Sequence, residues 1–156
     1  MDDVNSLPLI TRREVEALIT VPMITAFIEE FGHKRTLEIA EQVVRTLALD
    51  AGRRLRQVTG GNRLEHFERA LAIFGQGGAL ETEIVESSSR TLAIKVTRCK
   101  YAEMYRKHGW EEFGRLLSCG RDAALTQGFN PKIRFTRTKT IMEGAGYCDF
   151  HYSLED

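Results

Sequence analysis

Thr91-Leu92-Ala93-Ile94-Lys95-Val96-Thr97-Arg98 alternates apolar and polar side chains, and the polar turn Ser87-Ser88-Ser89-Arg90 joins it to the upstream run Thr82-Glu83-Ile84-Val85-Glu86. A repeat of two puts Leu92, Ile94 and Val96 on one side and Ala93, Lys95 and Thr97 on the other. Such a pair predicts an antiparallel hairpin with one face on a core. A second hairpin is predicted downstream from Ile133–Met142 and Cys148–Leu154, with Glu143-Gly144-Ala145-Gly146 as its loop. In its last strand Cys148, Phe150 and Tyr152 share one face, and Asp149 and His151 share the other.

Toward the N-terminus the period changes to that of helices. Thr11 and Glu14 form a capping-box pattern ahead of Val15, Leu18 and Ile19. Pro22 is expected to break or bend this helix. Met23, Ile24, Phe27, Ile28 and Phe31 resume the stripe, and Gly32 is the expected stop. The clearest helical pattern runs from Thr36 to Val58, with Leu37, Ala40, Val44, Leu47, Ala48, Ala51, Leu55 and Val58 recurring at helical spacing. That long stripe suits a core or the interface of a homo-oligomer. Gly52 weakens its centre without ending it. Gly60-Gly61 ends it, and Asn62 is the expected cap of a third helix bearing Leu64, Phe67, Leu71 and Phe74. Gly75 to Gly78 reads as a turn. Two short helices are predicted between the hairpins, near Tyr101–Lys107 and Trp110–Gln127, with Gly128 as the stop of the second and Asn130-Pro131 as a turn.

The fold class that follows is α+β: N-terminal helices packed on a C-terminal antiparallel sheet, with two short inserted helices. The length of 156 residues suits one domain, with a helical part at about 1–78 and an α+β part at about 79–156.

Lys and Arg number 22 and Asp and Glu number 22, so the chain lacks the basic excess that nucleic-acid binding needs. No apolar run approaches the roughly 20 residues of a membrane span. Met1-Asp2-Asp3 puts acids where a secretory leader has bases. A cytoplasmic setting is expected, and with it reduced thiols. The 3 cysteines are then core filler, catalytic groups or metal ligands.

Three stretches carry more information than the pattern. Val96-Thr97-Arg98-Cys99-Lys100-Tyr101-Ala102-Glu103-Met104-Tyr105 runs from strand to helix. Leu117-Ser118-Cys119-Gly120-Arg121-Asp122 is followed by Gly128-Phe129-Asn130-Pro131. Arg137-Thr138-Lys139-Thr140-Ile141-Met142-Glu143-Gly144 is followed by Cys148-Asp149-Phe150. In this order they resemble the family named after L-2-amino-thiazoline-4-carboxylic acid hydrolase, most closely from about Thr91 to Tyr152. The resemblance implies a hydrolase that opens a small carboxylated cyclic amidine or amide ring at a C–N or C–S bond. The closing strands also resemble the cysteine-bearing end of small-ligand-binding vinyl-reductase-like domains, which implies a ligand pocket only.

Such a reaction needs a nucleophile or activated water, a proton donor and a partner for the substrate carboxylate. Cys99 sits at a strand-to-helix junction, where the helix dipole favours thiolate, with Arg98 and Lys100 beside it. Buried packing is the alternative. Cys119 lies three residues before Asp122, on one helical face. That carboxylate raises a neighbouring thiol's pKa, so a Cys119 thiolate needs a cation such as Arg115 or Arg121. A surface ion pair of Asp122 with either arginine is the other reading. Cys148 completes the thiol set. Arg137 shares a strand side with Ile133 and Phe135, where an unpaired guanidinium is costly, so an acidic partner in protein or substrate is expected. Glu143 in its loop is a candidate proton donor or substrate contact, and Asp149 a substrate contact if it faces the site. No resident cofactor is expected; the alternative is one zinc ion on the three thiols, with Asp122 or water. Catalysis requires thiols, carboxylate and cation to converge in one cleft. A non-catalytic ligand sensor would instead show an apolar pocket with buried thiols.

Overall fold

The computed structural model describes residues 6–155, and the acidic Met1-Asp2-Asp3 start lies outside them. Two long helices come first, α1 (Leu9–Phe31) and α2 (His33–Thr59). Helix α3 (Leu64–Leu71) and a 3₁₀ segment (Ala72–Gly78) lead into strands β1 (Leu80–Ser87) and β2 (Thr91–Cys99). Helices α4 (Lys100–Lys107), α5 (Glu111–Leu117) and α6 (Asp122–Phe129) follow, then strands β3 (Ile133–Thr136) and β4 (Cys148–Leu154). All three strand pairings are antiparallel, in the order β1-β2-β4-β3. The architecture is the α+β arrangement expected from the alternating runs.

Several local expectations are corrected. Thr11 and Glu14 form no capping box; α1 starts at Leu9 with Pro8 in the capping position, because Leu9 is buried and draws the start forward. Pro22 does not break α1, which runs through it. Its ring lies on the exposed side, while Val21 and Ile24 on the inner side stay packed and offset the lost backbone bond. Asn62 does not cap α3 with its side chain. Instead its carbonyl accepts a 2.8 Å bond from Asn130 Nδ2, which ties the start of α3 to the end of α6.

The predicted Trp110–Gln127 helix is two helices. It breaks at Ser118, and a 3₁₀ turn, Cys119–Arg121, connects the halves. The break lets Leu117 join one core cluster while Ala124, Leu125 and Phe129 join the other. Gly128 is not the stop. A Cβ on Gly128 would lie 2.1 Å from the Leu49 carbonyl oxygen, and one on Gly52 would lie 2.1 Å from the Leu125 carbonyl oxygen. These two glycines let the α2 and α6 backbones touch.

The sheet's inner face carries Leu92, Val96, Cys148 and Tyr152, all buried. Phe67 of α3 is fully buried between Phe129 and Tyr152, with ring centroids 5.0 and 4.9 Å away. A second cluster joins Ala17, Val21 and Ile24 of α1 to Val44, Met104, Tyr105 and Leu117. The outer face of the α1–α2 pair is uncovered. Val15, Leu18, Ile19, Met23, Phe27 and Phe31 of α1 and Ile39, Val43 and Leu47 of α2 are 46–64 % exposed. Among the described residues no helix is long and apolar enough to cross a membrane.

Candidate functional site

A cavity of about 320 Å³ opens where the two core clusters meet the inner face of the sheet. Cys99, Cys119, Asp122, Arg137 and Cys148 all line it. Most of the remaining wall is apolar: Leu71, Phe74, Leu80, Ile94, Val96, Leu125, Phe150 and Tyr152. Arg13, Arg121, Glu68 and the hydroxyls of Thr82, Ser118 and Thr126 make up the rest of the polar lining; Glu68 accepts from the Ser87 hydroxyl at 2.9 Å.

Asp122 and Arg137 form the polar centre. Arg137 Nη1 donates to Asp122 Oδ2, and Nη2 donates to the Cys119 carbonyl at 3.4 Å. The guanidinium also lies over the Phe135 and Phe150 rings, 5.6 and 5.4 Å from their centroids. This explains why β3 ends at Thr136: Arg137 leaves the ladder to reach Asp122. The acidic partner expected of Arg137 is therefore in the protein, and Asp122 pairs with Arg137 rather than with Arg115 or Arg121 at the surface. Burial pushes the Asp122 carboxyl up to about 6, while the Arg137 charge and hydrogen bond and the Arg121 charge pull it down. At pH 7 it is chiefly a carboxylate with usable basicity.

The thiols are not poised as thiolates, contrary to the expectation at Cys99. Its Sγ caps α4, accepting from the Ala102 amide at 3.4 Å. Burial nevertheless raises Cys99 to about 11, because desolvation outweighs that single bond. Arg98 gives no help, since it turns out to Glu103 at 2.8 Å and Glu81 at 3.4 Å. Lys100 is drawn to the Gly77 carbonyl at 3.2 Å. Cys119 is pushed to about 12, first by burial and then by the Asp122 charge. Burial also raises Cys148, whose Sγ accepts from the Ile141 amide at 3.2 Å. The thiols are close enough for charge on one to oppose charge on another. Among the described residues no three His, Cys, Asp or Glu side chains are placed to hold a metal ion.

The family model for L-2-amino-thiazoline-4-carboxylic acid hydrolase matches residues 12–152, nearly the whole chain. The chain belongs to this family. No curated protein matches it. Among solved structures, the phenol-responsive sensory domain of the transcription activator PoxR, with phenol, aligns with a TM-score of 0.56 at 10 % identity, covering 85 % of this chain and 71 % of that one. Trafficking protein particle complex subunit 3 from Naegleria fowleri, covalently bound to palmitic acid, aligns with a TM-score of 0.58 at 11 % identity, covering 94 % and 96 %. At such identities the likeness is one of fold.

Two residues singled out in this hydrolase-family chain stand apart from the cavity. Asp149 projects to the other side of β4, as the alternation implies. Its carboxylate accepts from the Thr138 and Lys139 amides at 3.0 and 2.8 Å and from the Thr138 hydroxyl, which pins the turn after β3. Burial pushes its pKa up, but these bonds outweigh it and hold the carboxyl below its ordinary value. Glu143 accepts from the Thr140 hydroxyl at 2.8 Å and lies 3.9 Å from Arg115. Neither lines the cavity.

Sequence reading missed Arg13 altogether and treated Arg121 only as a neighbour of Cys119. Arg121 is 14 % exposed, and its Nε donates to the Leu117 carbonyl at 2.6 Å. Arg13 and Arg121 share Glu16, at 2.5 and 3.9 Å. Burial and the Arg13 charge lower Arg121 to about 10, so it remains a cation at pH 7. Around Glu16 two guanidiniums face one carboxylate, while the cavity's own acids are engaged elsewhere, Asp122 with Arg137 and Glu68 with the Ser87 hydroxyl.

Proposed function

We propose that this cavity opens a small carboxylated cyclic amidine or amide by hydrolysis, in a reducing, cytoplasmic setting and without a resident cofactor. The observation that carries the reading is the Asp122–Arg137 pair inside an apolar cavity, with Arg13 and Arg121 on the wall. Arg137 fixes the orientation of Asp122. The substrate carboxylate meets Arg121 and Arg13, whose positive charge exceeds that of Glu16. Asp122 takes a proton from water as the water oxygen bonds to the ring's amidine or amide carbon. The resulting tetrahedral centre collapses with rupture of the ring C–N or C–S bond, and the departing atom takes the proton held by Asp122. The apolar wall limits water and strengthens each of these interactions. Cys99, Cys119 and Cys148 enter as protonated thiols that shape the wall and can donate weak hydrogen bonds. Cys119 can serve as the nucleophile only where Asp122 takes its proton.

The test is turnover of 2-amino-thiazoline-4-carboxylate and its oxygen and lactam analogues, with and without chelator. Parent protein should open at least one ring, Asp122→Asn should lose about 100-fold or more, and chelator should change nothing. Retention of parental turnover by Asp122→Asn would overturn this mechanism. A second reading is favoured by the apolar wall and the three protonated thiols: a pocket that binds a small ligand without turnover, the phenol-responsive sensory domain of similar fold being one that is seen with phenol. Tight calorimetric binding of such ligands with no product formed would select it.

A further inference from the structure

We infer that the uncovered outer face of the α1–α2 pair is a homodimer interface, formed with the same face of a second copy. On α1, Val15, Ile19, Met23, Phe27 and Phe31 recur every four residues, and on α2 Ile39, Val43 and Leu47 do the same; all are about half exposed. Rows at this spacing are the ridges by which helices interlock. They stand beside the stripes already buried, such as Val21 and Ile24 on α1 and Val44 and Ala48 on α2. Helix α1 is therefore apolar on more faces than its own fold uses.

Size and charge select the occupant. The eight side chains of the two ridges are each about half exposed, a surface of several hundred Å² and so on the scale of the roughly 800 Å² that one partner contributes to a standard protein interface. A groove of about 770 Å³ runs along them, and among the described residues Arg35, Glu16 and Arg121 are the charged ones that line it. From Ala17 to Ile28, α1 carries no charged residue at all. The charges nearest that stretch on α1 are acidic, Glu14 and Glu16 before it and Glu29 and Glu30 after it. Arg12 and Arg13 lie just before those acids and Lys34 and Arg35 open α2, so the rim carries both signs, which suits pairing with a second copy better than the one-signed basic rim of a helix on an anionic bilayer. Two helix pairs laid face to face form a four-helix bundle, a two-fold arrangement that covers both copies at once. Arg121 lines both this groove and the site cavity, so pairing also shields the outer side of the substrate-facing arginine.

The test is sedimentation equilibrium of the whole chain at tens of micromolar. Parent protein should sediment at twice the chain mass. Ile19→Glu and Val43→Glu should each halve that mass with an unchanged far-ultraviolet spectrum, and Val85→Glu, on the exposed edge strand β1, should leave it doubled. A photo-crosslinker placed at Met23 should join two copies through α1 or α2. A parent monomer, dimers that persist in both face variants, crosslinks from Met23 to the sheet, or a monomer that co-sediments with phosphatidylglycerol vesicles would each overturn the inference. The crosslink reads out even where a glutamate variant fails to fold.

Discussion

Replacing Asp122 by Asn should make the folded protein more stable at neutral pH, although it removes half of an ion pair. The carboxyl has an ordinary value of 3.8 and sits at about 6 in the fold. Between those limits the folded protein keeps a proton that the unfolded chain releases. Stability therefore falls as pH rises from about 4 to about 6, then stays level. Two pK units set a ceiling of about 3 kcal/mol. The side chain keeps 30 % of its surface open to the cavity, and screening there reduces the loss to about 1–2 kcal/mol. Asparagine resembles the protonated acid and does not titrate. Urea unfolding at pH 4 should find parent and variant within about 0.5 kcal/mol of each other. At pH 7 the variant should be about 1–2 kcal/mol more stable, or roughly 2–8 °C in midpoint for a chain of this size. The physical content is that desolvation of the carboxylate outweighs its attraction to Arg137. A variant some 3 kcal/mol less stable than the parent at pH 7 would refute this, since that is the outcome when a broken pair leaves an uncompensated charge. A stabilising loss of activity would mark Asp122 as a residue retained for chemistry.

Alkylation by iodoacetamide at pH 8 should be about 100-fold slower at Cys99 than at a free thiol, and slower again at Cys119, following their raised values of about 11 and 12; peptide mass mapping over time would read the order. Activity should rise with pH through about 6 as Asp122 ionises. Arg137→Leu, which removes the attraction holding that value down, should move the rising limb higher and lower the maximum. An unmoved limb would take Arg137 out of its orienting role. Gly52→Ala should cost about 3 kcal/mol by urea unfolding, because its Cβ would meet the Leu125 carbonyl oxygen at 2.1 Å.

The sheet was legible because alternation is a strong signal over nine residues: Leu92 and Val96 are buried where the repeat of two puts them. Helix α2 was legible for the same reason at its own period. The break at Ser118 was not, since Gly120 in the turn is a weak breaker on its own and the demand of two separate core clusters is what imposes it. Pro22 misled in the opposite direction, because local breaking strength yields to packing on both sides. In the site, the cysteine motifs pointed to residues that do share a cavity. Their protonation was not readable, because burial depends on what packs around Cys99 and Cys119 from α2, α6 and β4. Arg137 announced its need for an acid through its apolar strand side, but the choice of Asp122 depends on Arg137 leaving the ladder. Arg13 had no signal at all: it enters the cavity from α1, more than eighty residues away in sequence from any cysteine.

The most direct test of the account is a crystal structure of the protein soaked with 2-aminothiazole-4-carboxylate, an aromatic ring that resists opening. The ring should lie in the cavity, with its carbon between sulfur and nitrogen beside Asp122 and its carboxylate on Arg121 and Arg13. A ligand seated in the α1–α2 groove, or one in the cavity with its carboxylate turned away from both arginines, would contradict it.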